Sequence, residues 1–126
     1  MNKVLTKTEQ KLQDRVRRSC TSIDGVFEKV SHGEPTWFTQ APPKGKTFAM
    51  FDSHHHGAEH VSVVVAATLE VQRGLVASEP KRFFVPPYVG SKGWVSIILD
   101  TRPDWTMVEQ LLKQAHVHVS TPKARK

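Results

Sequence analysis

Residues 6–20 contain neither Gly nor Pro, and Leu5, Leu12, Val16 and Cys20 fall close together when the chain is wound at the helical period. A first helix is predicted there. Thr6 is placed to cap it, and Glu9, three residues on, completes the spacing of a capping box. Lys3, Lys7, Lys11 and Arg15 recur at every fourth position and form a basic stripe beside the thin apolar face. Residues 26–33, after Asp24 and Gly25, read as a bend or short turn.

The period then changes to two. Residues 34–40 predict a strand built on Trp37 and Phe38, and the Pro42, Pro43, Lys44, Gly45 run predicts a turn. Phe48 and Met50 alternate with Thr47 and Ala49 in a second strand over 46–51. A loop over 52–59 leads to a third strand, 60–65, whose β-branched run implies burial on both faces. Thr68 is placed to cap a short helix through Leu69, Val71, Leu75 and Val76, closed by Glu79 and Pro80. Two more strands, 83–85 and 94–99, are predicted to flank an exposed, glycine-bounded loop, Gly90-Ser91-Lys92-Gly93. The last helix is marked by Thr106 and Glu109 at capping-box spacing and by Val108, Leu111, Leu112, Ala115 and Val119 at helical period. The order α-β-β-β-α-β-β-α predicts a two-layer α+β domain, an antiparallel sheet of about five strands with helices packed on one face. One domain over residues 1–126 is expected, with 120–126 a flexible basic tail.

The hydrophobic fraction of 38% is enough for a core without covalent staples at 126 residues. Cys20 is the only cysteine, which excludes an internal disulfide and points to a reducing compartment. The first residues lack the apolar stretch of a secretory signal, and Val63–Ala67 is far too short to cross a membrane. A soluble cytoplasmic protein with no membrane partner is the expectation. The net charge of +6 is unevenly distributed. Residues 1–22 hold six cations against two acids, residues 113–126 hold four cations and no acid, and between them eight cations face ten acids. Any polyanion contact is therefore expected from the two ends of the chain.

At Gly25-Val26-Phe27-Glu28, Gly33-Glu34-Pro35-Thr36-Trp37-Phe38, Gly45-Lys46-Thr47-Phe48-Ala49, Gly90-Ser91-Lys92-Gly93-Trp94-Val95, Asp104-Trp105 and Thr121-Pro122-Lys123 the chain resembles the MmcQ/YjbR family of small bacterial proteins. The resemblance implies a domain related to frataxin-like and secretion-chaperone-like folds. It also implies DNA binding through two hairpins acting as paired wings, here the loops 52–60 and 86–94. The first of these holds three consecutive histidines, Asp52 and Glu59, and no Lys or Arg; the second carries Lys92 as its one cation.

The leading expectation is a non-catalytic protein that binds DNA or another nucleic acid. Lys7, Lys11, Arg15 and Arg18 would supply phosphate contacts from the first helix, Lys92 from the second wing and Lys123 from the tail, with Tyr88 and Trp94 as flanking aromatics. His54, His56 and His60 offer a second chemistry, three imidazoles for a zinc-like ion. Protonated near pH 6, the same histidines would instead strengthen phosphate contact. A protein-interaction module using the sheet or the loop near Trp94 is the alternative from a different class. Cys20, on an apolar helix face, is expected to be inert. No phosphate-binding glycine loop, nucleophile elbow or paired-carboxylate motif occurs, so neither catalysis nor a cofactor is expected.

Overall fold

A computed structural model describes residues 4–54 and 59–121. The elements run α1 (Lys7–Thr21), β1 (Phe27–Ser31), β2 (Glu34–Phe38), β3 (Thr47–Ser53), β4 (Val61–Val65), α2 (Leu69–Ser78), β5 (Phe83–Phe84), a 3₁₀ turn (Val89–Lys92), β6 (Val95–Ile98) and α3 (Trp105–Ser120). Among the described residues the strands form one six-stranded antiparallel sheet in the order β1-β2-β3-β4-β6-β5. The α+β class expected from the sequence is the one found.

The sixth strand is β1, in the stretch that reads as a bend from sequence. It is an edge strand with Lys29 and Val30 exposed, so its hydrophobic alternation is faint. His32 and Gly33, both at positive φ (54° and 82°), make the two-residue turn that pairs Ser31 with Glu34. Positive φ at both central positions matches the right-handed twist of the strands they join.

The sheet has two distinct faces. Trp37 lies opposite Ala49, whereas Thr36 lies opposite Met50, so Trp37 and Met50 point to opposite sides. On the Trp37 side, Val16 and Cys20 of α1 and Val108, Leu112 and Ala115 of α3 join a core with Phe51, Val63 and Ile97. β4, at the centre, is buried along its whole length, as its β-branched run implies. A register shift beside Trp37 and Phe38 breaks the alternation, and Phe48 and Ala49 are both fully buried. The Phe48 ring meets the His116 ring of α3 edge-on at 5.2 Å.

Helix α1 is fixed to this face by one carboxylate. Glu28 accepts from Arg17 Nε at 2.8 and 3.1 Å and from the indole Nε1 of the fully buried Trp37 at 2.9 Å. The Thr6–Glu9 capping box is formed reciprocally at 3.0 and 3.1 Å, and Thr68 Oγ1 caps α2 by accepting from Val71 N–H. In α3 the cap is Asp104, whose Oδ1 accepts from Met107 N–H; Thr106 lies inside the first turn.

The segment between β5 and β6 departs most from expectation. Ser91 and Lys92 are exposed at its tip, but the glycines that bound it are packed inside. Gly90 and Gly93 are both buried, and the Gln72 side-chain amide of α2 donates to Gly90 O at 2.8 Å and to Trp94 O at 2.6 Å. Gly93 sits at φ +101°, and a Cβ there would lie 2.5 Å from the backbone of Thr68 and Leu69. Glycine is required by both its conformation and this approach. Gly93→Ala is therefore expected to destabilise the fold by about 2 kcal/mol or more, through strain and the displaced start of α2. Urea denaturation checks this; a midpoint unchanged from the parent chain would contradict the packing.

Candidate nucleic-acid interface

Winding α1 at about 100° per residue places Lys7, Lys11, Arg15 and Arg18 within roughly an 80° arc. Gln13, Val16 and Cys20, the buried positions of the helix, lie on its opposite side. The stripe therefore points outward because the core holds the other face. Lys7, Lys11 and Arg18 are exposed, and Arg15, half-buried, leans toward α3 with its guanidinium carbon 4.7 Å above the Trp105 ring. Arg17 turns the other way, to Asp14 at 2.8 Å and to Glu28. Those two carboxylates stabilise its charged form, Glu28 foremost, and take it out of the stripe.

Between α1 and α3 lies a crevice of about 200 Å³ lined by Arg15, Arg18, Ser19, Ser22, Glu109 and Lys113. Three cations and two hydroxyls thus surround one small polar space. Its single carboxylate, Glu109, accepts from Ser19 Oγ at 3.4 Å. Arginine forks and hydroxyl donors of this kind suit phosphate oxygens. Lys113, Ser19 and Ser22 were not singled out from sequence as site residues. Their signal lay in two facing amphipathic helices, which bring the amino-terminal basic stripe against the start of the carboxy-terminal basic stretch.

The remaining expected contacts do not join this surface. Tyr88 is exposed but lies with Met50, Asp52 and Val64, on the sheet face away from α1. Lys92 is exposed at the end of the 3₁₀ turn, and Trp94 is half-buried against the core. The loops 52–60 and 86–94 leave opposite ends of the sheet, since Val61 and Val95 lie at opposite ends of the paired β4 and β6. Lys123 lies outside the described residues.

His56 also lies outside the described residues. His54 Nε2 lies 3.2 Å from Glu9 Oε2, and His60 Nδ1 lies 3.0 Å from Asp100 Oδ1, so each ring has a different carboxylate partner. Among the described residues no group of three or more His, Cys, Asp or Glu is placed to hold a metal ion. Asp100 also accepts from Val61 N–H at 3.0 Å, which fixes the start of β4. Cys20 is fully buried, and burial, then the nearby Glu28 charge, push its thiol pKa far up. This agrees with an inert thiol.

An antiparallel sheet with two helices on one face and a basic crevice between them defines a small α+β domain. The YjbR family profile matches residues 21–118, and the chain belongs to that family. No curated protein matches it. Among solved structures it is similar to the crystal structure of Deinococcus radiodurans protein DR2400, described as a DUF419 domain. The identity is 16%, the match covers 90% of this chain and 81% of that one, and the TM-score is 0.74. That likeness shows the shared fold. No helix among the described residues is long and apolar enough to cross a membrane.

The Glu9 carboxylate is held below its ordinary pKa chiefly by the Thr6 backbone N–H, and further by His54. A depressed folded pKa adds stability that is present above the unfolded value of about 4.3 and disappears as pH falls through the lower folded value. Glu9→Gln is expected to lower stability at pH 7 and to leave a shallower acid limb below about pH 4.5. Urea midpoints across that range measure it; parallel curves for the two proteins would contradict the assignment.

Proposed function

We propose that this protein binds nucleic acid without catalysis, holding the phosphate backbone on the α1–α3 surface. The observation that supports the reading is the crevice where Arg15, Arg18 and Lys113 meet the Ser19 and Ser22 hydroxyls. Lys7 and Lys11 extend the same positive ridge along α1. Contacts of this kind set position and affinity but read no base edges, so sequence preference is weak. The edge of the sheet and the second loop stay outside the footprint.

Neutralising phosphates releases condensed counterions, so affinity falls steeply with salt. Five cations in contact correspond to a slope of log K against log salt of roughly −4.5 for duplex DNA. Fluorescence anisotropy with a mixed-sequence duplex and with single-stranded RNA, from low to moderate salt, tests this. Lys11→Ala, Arg18→Ala and Lys113→Ala should each weaken binding and make the slope shallower by about one unit. Lys29→Ala, on the edge strand, should change neither. A salt-independent isotherm, or affinity surviving the triple substitution, would remove the surface from consideration.

A further inference from the structure

The crevice between α1 and α3 is small and unevenly charged. At about 200 Å³ it falls below the range of about 300–1,000 Å³ usual for sites that enclose a whole small molecule, so it fits one compact group. Its formal charges are those of Arg15, Arg18 and Lys113 against Glu109, three cations and one carboxylate, a net of +2. That excess is not neutralised inside the protein. Among the described residues neither Arg18 nor Lys113 stands in an ion pair, whereas Arg17 on the same helix has both Asp14 and Glu28. Arg15 packs over the Trp105 ring at 4.7 Å, which steadies its guanidinium without supplying a counter-charge.

We propose that the crevice takes the terminal phosphate of a nucleic-acid strand, an inference that rests on phosphate binding by the α1–α3 surface. A phosphodiester within a strand has one negative charge and is flanked by sugars on both sides. A phosphomonoester at the end carries about −1.5 to −2 at pH 7, presents three free oxygens and is tethered on one side only. Its charge matches the net +2 of the crevice, and it enters a recess between two helices without bending the strand.

The two unpaired cations come from opposite walls, Arg18 from α1 and Lys113 from α3. The Arg18 fork suits two oxygens at once, and the Lys113 ammonium acts as a point charge on the third. Ser22 Oγ already donates to Ser19 O at 2.7 Å. Ser19 Oγ reaches Glu109 only at 3.4 Å, a long bond whose hydrogen a phosphate oxygen can take. Lys7 lies about 16 Å along the helix axis from Arg18, so the ridge carries the phosphates that follow the terminus.

Fluorescence anisotropy with mixed-sequence duplexes that differ only at their strand ends tests the assignment. The ends carry phosphate, methyl phosphate or hydroxyl. The phosphate-ended duplex should bind about tenfold more tightly than the hydroxyl-ended one, as expected for one or two added charge-assisted contacts. Methyl phosphate keeps the group with a single charge and should lose most of that gain. Arg18→Ala and Lys113→Ala should each bring the ratio of the two affinities toward one. Lys7→Ala, farther along the ridge, should weaken every duplex and leave the ratio unchanged. Equal affinity for phosphate and hydroxyl ends, with steep salt dependence retained, overturns the terminal site and leaves backbone binding standing; loss of salt-dependent binding for every duplex overturns both. Full retention of the gain by methyl phosphate, or a ratio that survives the two alanine substitutions together, also overturns the assignment. So does displacement of the duplex by an equal concentration of adenosine 5′-monophosphate, because the occupant would then be a free phosphomonoester.

Discussion

The Glu28 carboxylate decides how the two layers meet. Arg17 reaches it from α1 and the indole of Trp37 from β2, while Glu28 itself stands on the edge strand β1. Trp37 is fully buried, so its N–H must have an acceptor inside the protein. Meeting that requirement with a carboxylate brings a cation to the same place, and the cation comes from α1. The rotation of the helix follows. With Arg17 turned inward to the sheet, Val16 and Cys20 enter the core, and Lys11, Arg15 and Arg18 are left on the far or flanking sides.

Most of the architecture could be read from local pattern. The Thr6–Glu9 box, the Thr68 cap, the wholly apolar β4 and the periodicity of α3 are signals that the sequence carries within a few residues, and each has its counterpart in the fold. What escaped were features whose cause is distant. β1 alternates weakly because it is an edge, and its evidence is the partner strand. Thr106 and Glu109 have the right spacing for a capping box, yet Asp104, two residues earlier, takes the role. Gly93 looks like freedom in a loop; its reason is the start of α2, where a Cβ would lie 2.5 Å from the backbone of Thr68 and Leu69, whereas a Cβ on Gly90 would meet the Val85 side chain.

The candidate site shows the same division. The α1 stripe was legible because it repeats along one helix. Its completion by Lys113 and the serines depends on helix packing, and the separation of Tyr88 from it depends on which way the chain turns after β5. The outcome is a domain that keeps the positive crevice and Tyr88 apart by the thickness of a sheet.

Gln72 deserves its place in α2 for a chemical reason. Its side-chain nitrogen is positioned to give one hydrogen to Gly90 O and the other to Trp94 O, so both donors of a buried amide are committed to main-chain oxygens. A carboxylate of nearly identical shape has none to give. Slow hydrolysis of this one amide, as proteins age, would set three oxygens against one another in a buried space and unfasten the turn that carries Tyr88. Two of the contacts that hold this turn thus depend on a single carbon–nitrogen bond on a neighbouring helix.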